Sequence, residues 1–169
     1  ELTEAFNLVV EKAPKSKLLL IGKDAIDVFE KTSTVKLFFD KLSSKAKANV
    51  TYLPEVPYHE IKNYIAQAQV VVLPSFAEAF PMTWLETLAM EKALVSSNIG
   101  WTNELMIDNT IGYIVNPKDH NEFALKLLDL LSDSKKCKSF GKEGRKHVDN
   151  NFSVEVVTKQ NIEFYKKHI

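Results

Sequence analysis

QVVVLPSFAEAFPMTWLETLAMEKALVSSN, residues 69–98, holds a complete strand–helix–strand unit. Val70-Val71-Val72-Leu73 is an unbroken apolar run of β-branched character, closed by Pro74 and Ser75, which is the pattern of a buried strand. Pro81 suits the opening of a helix, where its missing N–H forfeits no hydrogen bond. ALVSSN then supplies the second strand. Within the unit stand two carboxylates, Glu78 and Glu86, eight positions apart among Phe76, Phe80, Met82, Trp84, Leu85, Leu88 and Met90. A charge in apolar surroundings is costly unless something partners it. The unit therefore raises the question of what these two glutamates hold.

Outward from this unit the same alternation continues. Leu2, Ala5, Phe6, Val9 and Val10 recur at helical spacing and Pro14 ends that segment. KLLLIG is a strand ending at Gly22, and NVTYLPEV is a short strand broken by Pro54. Between them, about Ala25 to Lys47 reads as one long amphipathic stretch, with Val28, Phe29, Val35, Phe38, Phe39 and Leu42 as its apolar positions. YHEIKNYIAQA reads as a helix, TNELMI as a short helix and IGYIVNP as a strand. Three helices are expected to the end, with a break at Asp149-Asn150-Asn151 and Ser153 as an N-cap followed by Glu155. Short strands that are apolar throughout, alternating with helices, predict an α/β domain over residues 1–169: a parallel sheet with helices on both faces.

The composition narrows the function classes. Lys plus Arg number 22 and Asp plus Glu 22, so no net charge draws the chain to nucleic acid or an anionic membrane. With one cysteine, Cys137, no internal disulfide can form. That cysteine sits in a lysine-rich run read as exposed and solvated, with Lys135, Lys136, Lys138, Lys142, Arg145 and Lys146. The four histidines, His59, His120, His147 and His168, lack metal-ligand spacing, and no Asp-x-Asp occurs, so no metal site is expected. A cytoplasmic protein is expected, with peripheral membrane association left open for the full-length form.

In open parallel sheets, ligands bind beyond the carboxyl ends of the strands. This singles out the loops after Gly22, Leu53, Pro74-Ser75, Ser97 and Val115. Glu78 then falls in a loop at the ligand edge and Glu86 on the helix leaving it. Free backbone N–H groups around Met82 and Thr83 would open that helix and attract an anion.

These elements together resemble the group 1 retaining glycosyltransferases, specifically the C-terminal, donor-binding half of their two-domain GT-B fold. The matching residues are Val70-Val71-Val72-Leu73-Pro74-Ser75, Glu78, Phe80-Pro81, Leu85-Glu86, Leu88-Ala89-Met90 and Ala93-Leu94-Val95. Downstream, Ser97-Asn98-Ile99-Gly100, Glu104, Ile111 to Val115, Phe152-Ser153 and Tyr165 continue the match. The resemblance implies a Rossmann-like domain that binds a UDP-, GDP- or ADP-sugar donor and needs no separate cofactor. It implies Glu86 on the ribose hydroxyls and Glu78 as the catalytic-region carboxylate beside the donor sugar. Backbone near Phe80, Pro81, Met82 and Thr83 would hold the diphosphate, and the loop of Pro54, Glu55 and Val56 the base. Gly100 and Glu104 complete the implied donor site.

The resemblance further implies transfer of a hexose-type sugar, with retention and without metal, to a glycan, lipid-linked or polysaccharide acceptor. Three positions depart from the family pattern: Gly100-Trp101 stands for Gly-Gly, Lys23-Asp24 follows the first strand in place of glycines, and Pro81 removes one N–H. The family's opening strand, with its Gly-Arg and following Lys-Gly, would precede Glu1, and so would the N-terminal acceptor domain. The expectation is a domain truncated at its N-terminal edge, with no transferase activity alone. The strands at Leu18 and Val70 should flank a gap or be bridged by another segment. The alternative from a different class is a non-catalytic, flavodoxin-like interaction module.

Overall fold

The computed structural model describes residues 1–169. Helix α1 (Leu2–Lys12) precedes β1 (Leu18–Ile21), and two short helices, α2 (Thr34–Asp40) and α3 (Ser44–Lys47), lead to β2 (Val50–Leu53). Next come α4 (Tyr58–Gln67), β3 (Val70–Leu73), α5 (Met82–Ala89), β4 (Ala93–Ser97), α6 (Thr102–Leu105) and β5 (Gly112–Val115). The chain closes with α7 (His120–Ser132), α8 (Ser134–Asn151) and α9 (Val154–His168). No helix is long and apolar enough to cross a membrane.

All strand pairs are parallel, but they make two sheets: β1-β2, and β3-β4-β5 with β4 in the middle. No ladder joins the two sheets. The Leu18 and Val70 strands, expected to flank a gap, are each paired along one edge only, β1 with β2 and β3 with β4.

The three-stranded sheet is covered on both faces, and the two-residue period of its strands divides the cover. Ala93 and Val95 of β4, Tyr113 and Val115 of β5, and Val70 and Val72 of β3 join a core with Phe6, Val9, Phe123, Leu127 and Phe140. The intervening residues, Val71, Leu73, Leu94 and Ile114, join a second core with Trp84, Leu88, Leu105 and Val148. Every residue of β4 is buried. The β1-β2 pair is covered less well: Leu18 and Val50 touch the first core, while Leu19 is 41% exposed.

Helix α8 serves both cores through one stripe. Cys137, Phe140, Gly141, Gly144 and Val148 are its buried positions, the three- and four-residue steps of a single helical face. Cys137 is therefore not exposed as its lysine neighbours suggest; it lies in the core, with its thiol 3.0 Å from the Leu130 carbonyl. The lysines and Arg145 occupy the other face and find acids: Lys136 with Asp129, Lys146 with Glu143, and Arg145 with Asp149.

Two sequence expectations require correction. Ala25 to Lys47, read as one long amphipathic stretch, is not one continuous element. Asp27 Oδ1 accepts from the N–H groups of Phe29 and Glu30, and Asp24 Oδ1 from that of Val35. These side-chain bonds, with a bridge between Ile26 and Ser33, keep residues 24–33 out of a helix, and α2 starts only after Ser33 caps it through the Lys36 N–H. Val28 and Phe29 are accordingly 68% and 87% exposed. The expected break at Asp149-Asn150-Asn151 falls slightly later, since α8 runs through Asn151 and Ser153 caps α9 in position without a side-chain bond.

Candidate functional site

The carboxyl end of each strand delivers its loop to the predicted edge. Pro74 ends β3, and the chain crosses residues 74–81 before α5 begins with Pro81 as its N-cap. Glu78 is exposed in this crossing, and its Oε1 accepts from Ser75 Oγ at 2.6 Å. Gly100 approaches it from the β4–α6 turn: a Cβ there would lie 3.8 Å from the Glu78 carbonyl oxygen. Gly100 has φ +42°, the left-handed region that glycine enters without penalty. The buried Thr102 hydroxyl fixes this turn, donating to the Ser97 carbonyl at 2.8 Å and accepting from the Ile99 N–H at 3.0 Å. Glu78, Pro81, Trp84, Ile99, Trp101 and Thr102 thus line one small cleft.

A second and larger cleft, about 600 Å³, opens at the ends of β1 and β2. Its walls are Ile21, Gly22 and Lys23 on one side and Pro54 through Tyr58, with Ile61, on the other. Pro54, Glu55 and Val56, contiguous in sequence, all line this cleft. Lys23, which stands in place of the family's glycines, lines the same cleft and pairs with Glu55 at 3.0 Å. Tyr52 donates its hydroxyl to the Gly22 carbonyl at 2.9 Å and so ties β2 to the loop after β1.

Glu86 stands on α5 and lines neither cleft. Trp84, Leu85, Thr87 and Leu88 are the buried residues of this helix, while Glu86 is half-buried on another side. Its apolar sequence neighbours therefore do not enclose it. Glu86 Oε1 accepts a hydrogen bond from the Tyr58 hydroxyl, and this carboxylate holds the phenol pKa above its ordinary value. Tyr58 was legible only as the opening of a helix; its position directly after Pro57 at a strand's carboxyl end was the available signal.

The remaining predicted positions divide. Phe80 is 47% exposed and meets Phe152 edge-on, with ring centroids 6.3 Å apart, so the crossing leans on the end of α8. Met82 and Thr83 form the first turn of α5 with their side chains exposed. The far end of α5 is anchored by Arg145 Nη1, which donates to the Ala89 carbonyl at 2.7 Å. Glu104 lies exposed on α6 and lines neither cleft. No three His, Cys, Asp or Glu side chains cluster closely enough to hold a metal ion.

Comparison with known proteins places this architecture. Residues 1–147 match the family described as glycosyl transferases group 1. The capsular polysaccharide biosynthesis glycosyltransferase CapM of Staphylococcus aureus is 26% identical over 157 residues, covering 93% of this chain and 39% of that protein. The lipopolysaccharide core biosynthesis mannosyltransferase LpcC of Rhizobium leguminosarum is 28% identical over 120 residues, covering 71% of this chain and 34% of that protein. The chain thus spans well under half the length of these relatives. Among solved structures, the C-terminal domain of the group 1 family protein LpcC from Francisella tularensis superposes with TM-score 0.79 at 24% identity, covering 90% of this chain and 78% of that one. Anabaena HepE superposes with TM-score 0.84 at 18% identity, over 97% of this chain and 44% of that one. These likenesses establish the fold as the Rossmann-like C-terminal half of GT-B enzymes. With the family match covering most of its length, the chain belongs to the group 1 glycosyl transferases.

Proposed function

We propose that this domain binds the nucleoside diphosphate of a sugar donor, with the base in the larger cleft, the ribose at Glu86 and the sugar toward Glu78. The observation that carries this is the placement of Tyr58, which lines the larger cleft and bonds to Glu86. In this proposal the ligand runs from that cleft past the Glu86 carboxylate toward the start of α5. The cleft walls of Ile21, Pro54, Val56 and Ile61 suit a flat heterocycle, and the exposed backbone of Pro54 to Val56 can meet its edges. A carboxylate accepting from two ribose hydroxyls makes charge-assisted bonds, which are the strong ones.

The first turn of α5 then faces the diphosphate with N–H groups and the positive end of the helix dipole. Lys23, paired with Glu55, is the basic side chain nearest the base end. As the leaving diphosphate gains negative charge, these donors stabilise it most when the site is closed to water. Glu78, steadied by Ser75 and flanked by Gly100 and Trp101, is in this proposal the carboxylate beside the reacting sugar. Glu104 joins only if α6 turns toward the ligand.

In the complete protein we propose transfer of a hexose-type sugar, with retention, to a glycan, lipid-linked or polysaccharide acceptor held by a further domain. The UDP named in the HepE complex and the capsule and lipopolysaccharide activities named for CapM and LpcC agree with that class. Calorimetric titration with UDP, GDP and ADP tests the donor site. One of the three should bind, and Glu86→Ala should weaken it about tenfold or more, the value of a hydrogen bond to a charged group. Absence of binding for all three would favour a non-catalytic interaction module.

A further inference from the structure

One side chain of the larger cleft reaches out of it to the carboxylate on α5. Tyr58 lines the larger cleft, whereas Glu86 does not. The phenol bonded to Glu86 Oε1 therefore stands between cleft and carboxylate. We infer that Tyr58 is an internal competitor for Glu86, which a ribose diol must displace before the carboxylate can receive it; this rests on the nucleotide-site assignment above.

Three observations support a displaceable contact. Tyr58 is 77% exposed, so its ring can swing to another rotamer without opening a cavity in the core. It is the first residue of α4, beside the exposed Pro57, where no neighbouring turn fixes the ring from the N-terminal side. Its partner is half-buried and accepts no other side-chain hydrogen bond. The phenol thus satisfies a carboxylate that would otherwise be partly desolvated and without a partner. The ligand inherits that arrangement as a cost: affinity falls by the fraction of molecules in which Glu86 is uncapped. A site capped about two-thirds to nine-tenths of the time loses roughly three- to tenfold.

The geometry makes a further demand. A vicinal diol that spans the carboxylate needs both oxygens, and Tyr58 occupies one of them. A nucleotide lacking both ribose hydroxyls has no use for Glu86 and leaves Tyr58 in place. The effect of Tyr58 is therefore confined to ligands that carry the diol, which separates it from ring stacking in the cleft.

The test is calorimetric titration of the chain and of Tyr58→Phe with UDP, GDP and ADP and with their 2′,3′-dideoxy forms. Tyr58→Phe keeps the ring and removes only the hydroxyl of an exposed side chain, and melting curves verify its fold. The expected result is a three- to tenfold tighter ribonucleotide complex and an unchanged dideoxy complex. In a Glu86→Ala background the same substitution should change neither. Equal or weaker ribonucleotide binding by Tyr58→Phe overturns the inference, because Tyr58 is then a brace or a bystander. A matching gain for the dideoxy ligand also overturns it, since the hydroxyl would be obstructing the cleft and not competing for the diol. No binding by the unmodified chain overturns the nucleotide-site assignment itself, and the inference with it.

Discussion

Gly141 sits in the middle of an 18-residue helix, where a residue scale and the packing make opposite predictions. By helix propensity alone, Gly141→Ala should stabilise α8 by about 1 kcal/mol. A Cβ at Gly141, however, would lie 2.0 Å from the carbonyl oxygen of Glu91 and 2.5 Å from its carbonyl carbon. Relief needs a displacement of more than an ångström, and the obstacle is backbone. Glu91 cannot yield easily. It holds φ +55° at the end of α5, where its N–H donates to the Leu88 carbonyl at 3.0 Å and the Lys92 N–H donates to the Thr87 carbonyl at 3.1 Å. That pair of bonds is a Schellman closure. Overpacking costs about 1–3 kcal/mol, and a backbone obstacle belongs at the top of that range. The net expectation is a loss of about 2 kcal/mol, or a fall in Tm of about 4–8 °C for a chain of this size. Gly144 is the internal control, because a Cβ there meets Leu88 Cδ2 at 2.8 Å, the end of a flexible side chain. Gly144→Ala should therefore be near neutral. Urea melts followed by circular dichroism, with the slope unchanged, give both values. A stabilised Gly141→Ala protein would refute the close approach of α8 to the end of α5, and with it the support of the helix that carries Glu86.

Two further outcomes follow from the core beneath β5. Asp129 accepts from the Tyr113 hydroxyl at 2.6 Å and from Lys136 Nζ at 2.9 Å, and these two bonds hold its pKa below the ordinary carboxylate value. The stability a depressed pKa contributes is present above the unfolded value near pH ~4 and is lost as the pH falls through the folded one. Asp129→Asn should cost about 0.5–1 kcal/mol at pH 7 for this partly exposed pair, and the difference from the unmodified protein in urea melts should close on acidification; a gap constant with pH contradicts this. Burial raises the Cys137 thiol pKa, so a disulfide reagent should label the native chain slowly and the unfolded chain fast; rapid stoichiometric labelling of native protein would place Cys137 outside the core.

The strands were legible because each is a short run rich in apolar and β-branched residues, bounded by glycine, proline or polar residues. Leu18–Ile21 before Gly22, Val50–Leu53 before Pro54, and Val70–Leu73 before Pro74 are all such cases. The Ala25–Lys47 stretch misled because Val28 and Phe29 continue an apolar pattern while Asp24 and Asp27 give the backbone a competing set of bonds. Cys137 was misread from its neighbours in sequence; its spacing to Phe140, Gly144 and Val148 carried the correct answer. At the site, the loop holding Glu78 and the helix holding Glu86 followed from the Pro-Ser turn and Pro81. The enclosure of Glu86 by its apolar neighbours was misread, since only the other sides of α5 are buried, and its bond to Tyr58 was not legible. Tyr58 lies 28 residues away on another helix, and only the folded chain brings the two together. The strands divide into two sheets, with β1 and β3 each paired along one edge only.

The central claim is that Glu86 and the loop after β2 form the two halves of one nucleoside diphosphate site. Calorimetric titration of the chain and its Glu86→Ala variant with UDP, GDP and ADP tests it most directly. The account predicts saturable binding of one nucleotide, weakened about tenfold or more by Glu86→Ala in a variant that melts as the unmodified chain does. Binding of none at millimolar concentration, or binding that Glu86→Ala leaves unchanged, would contradict it.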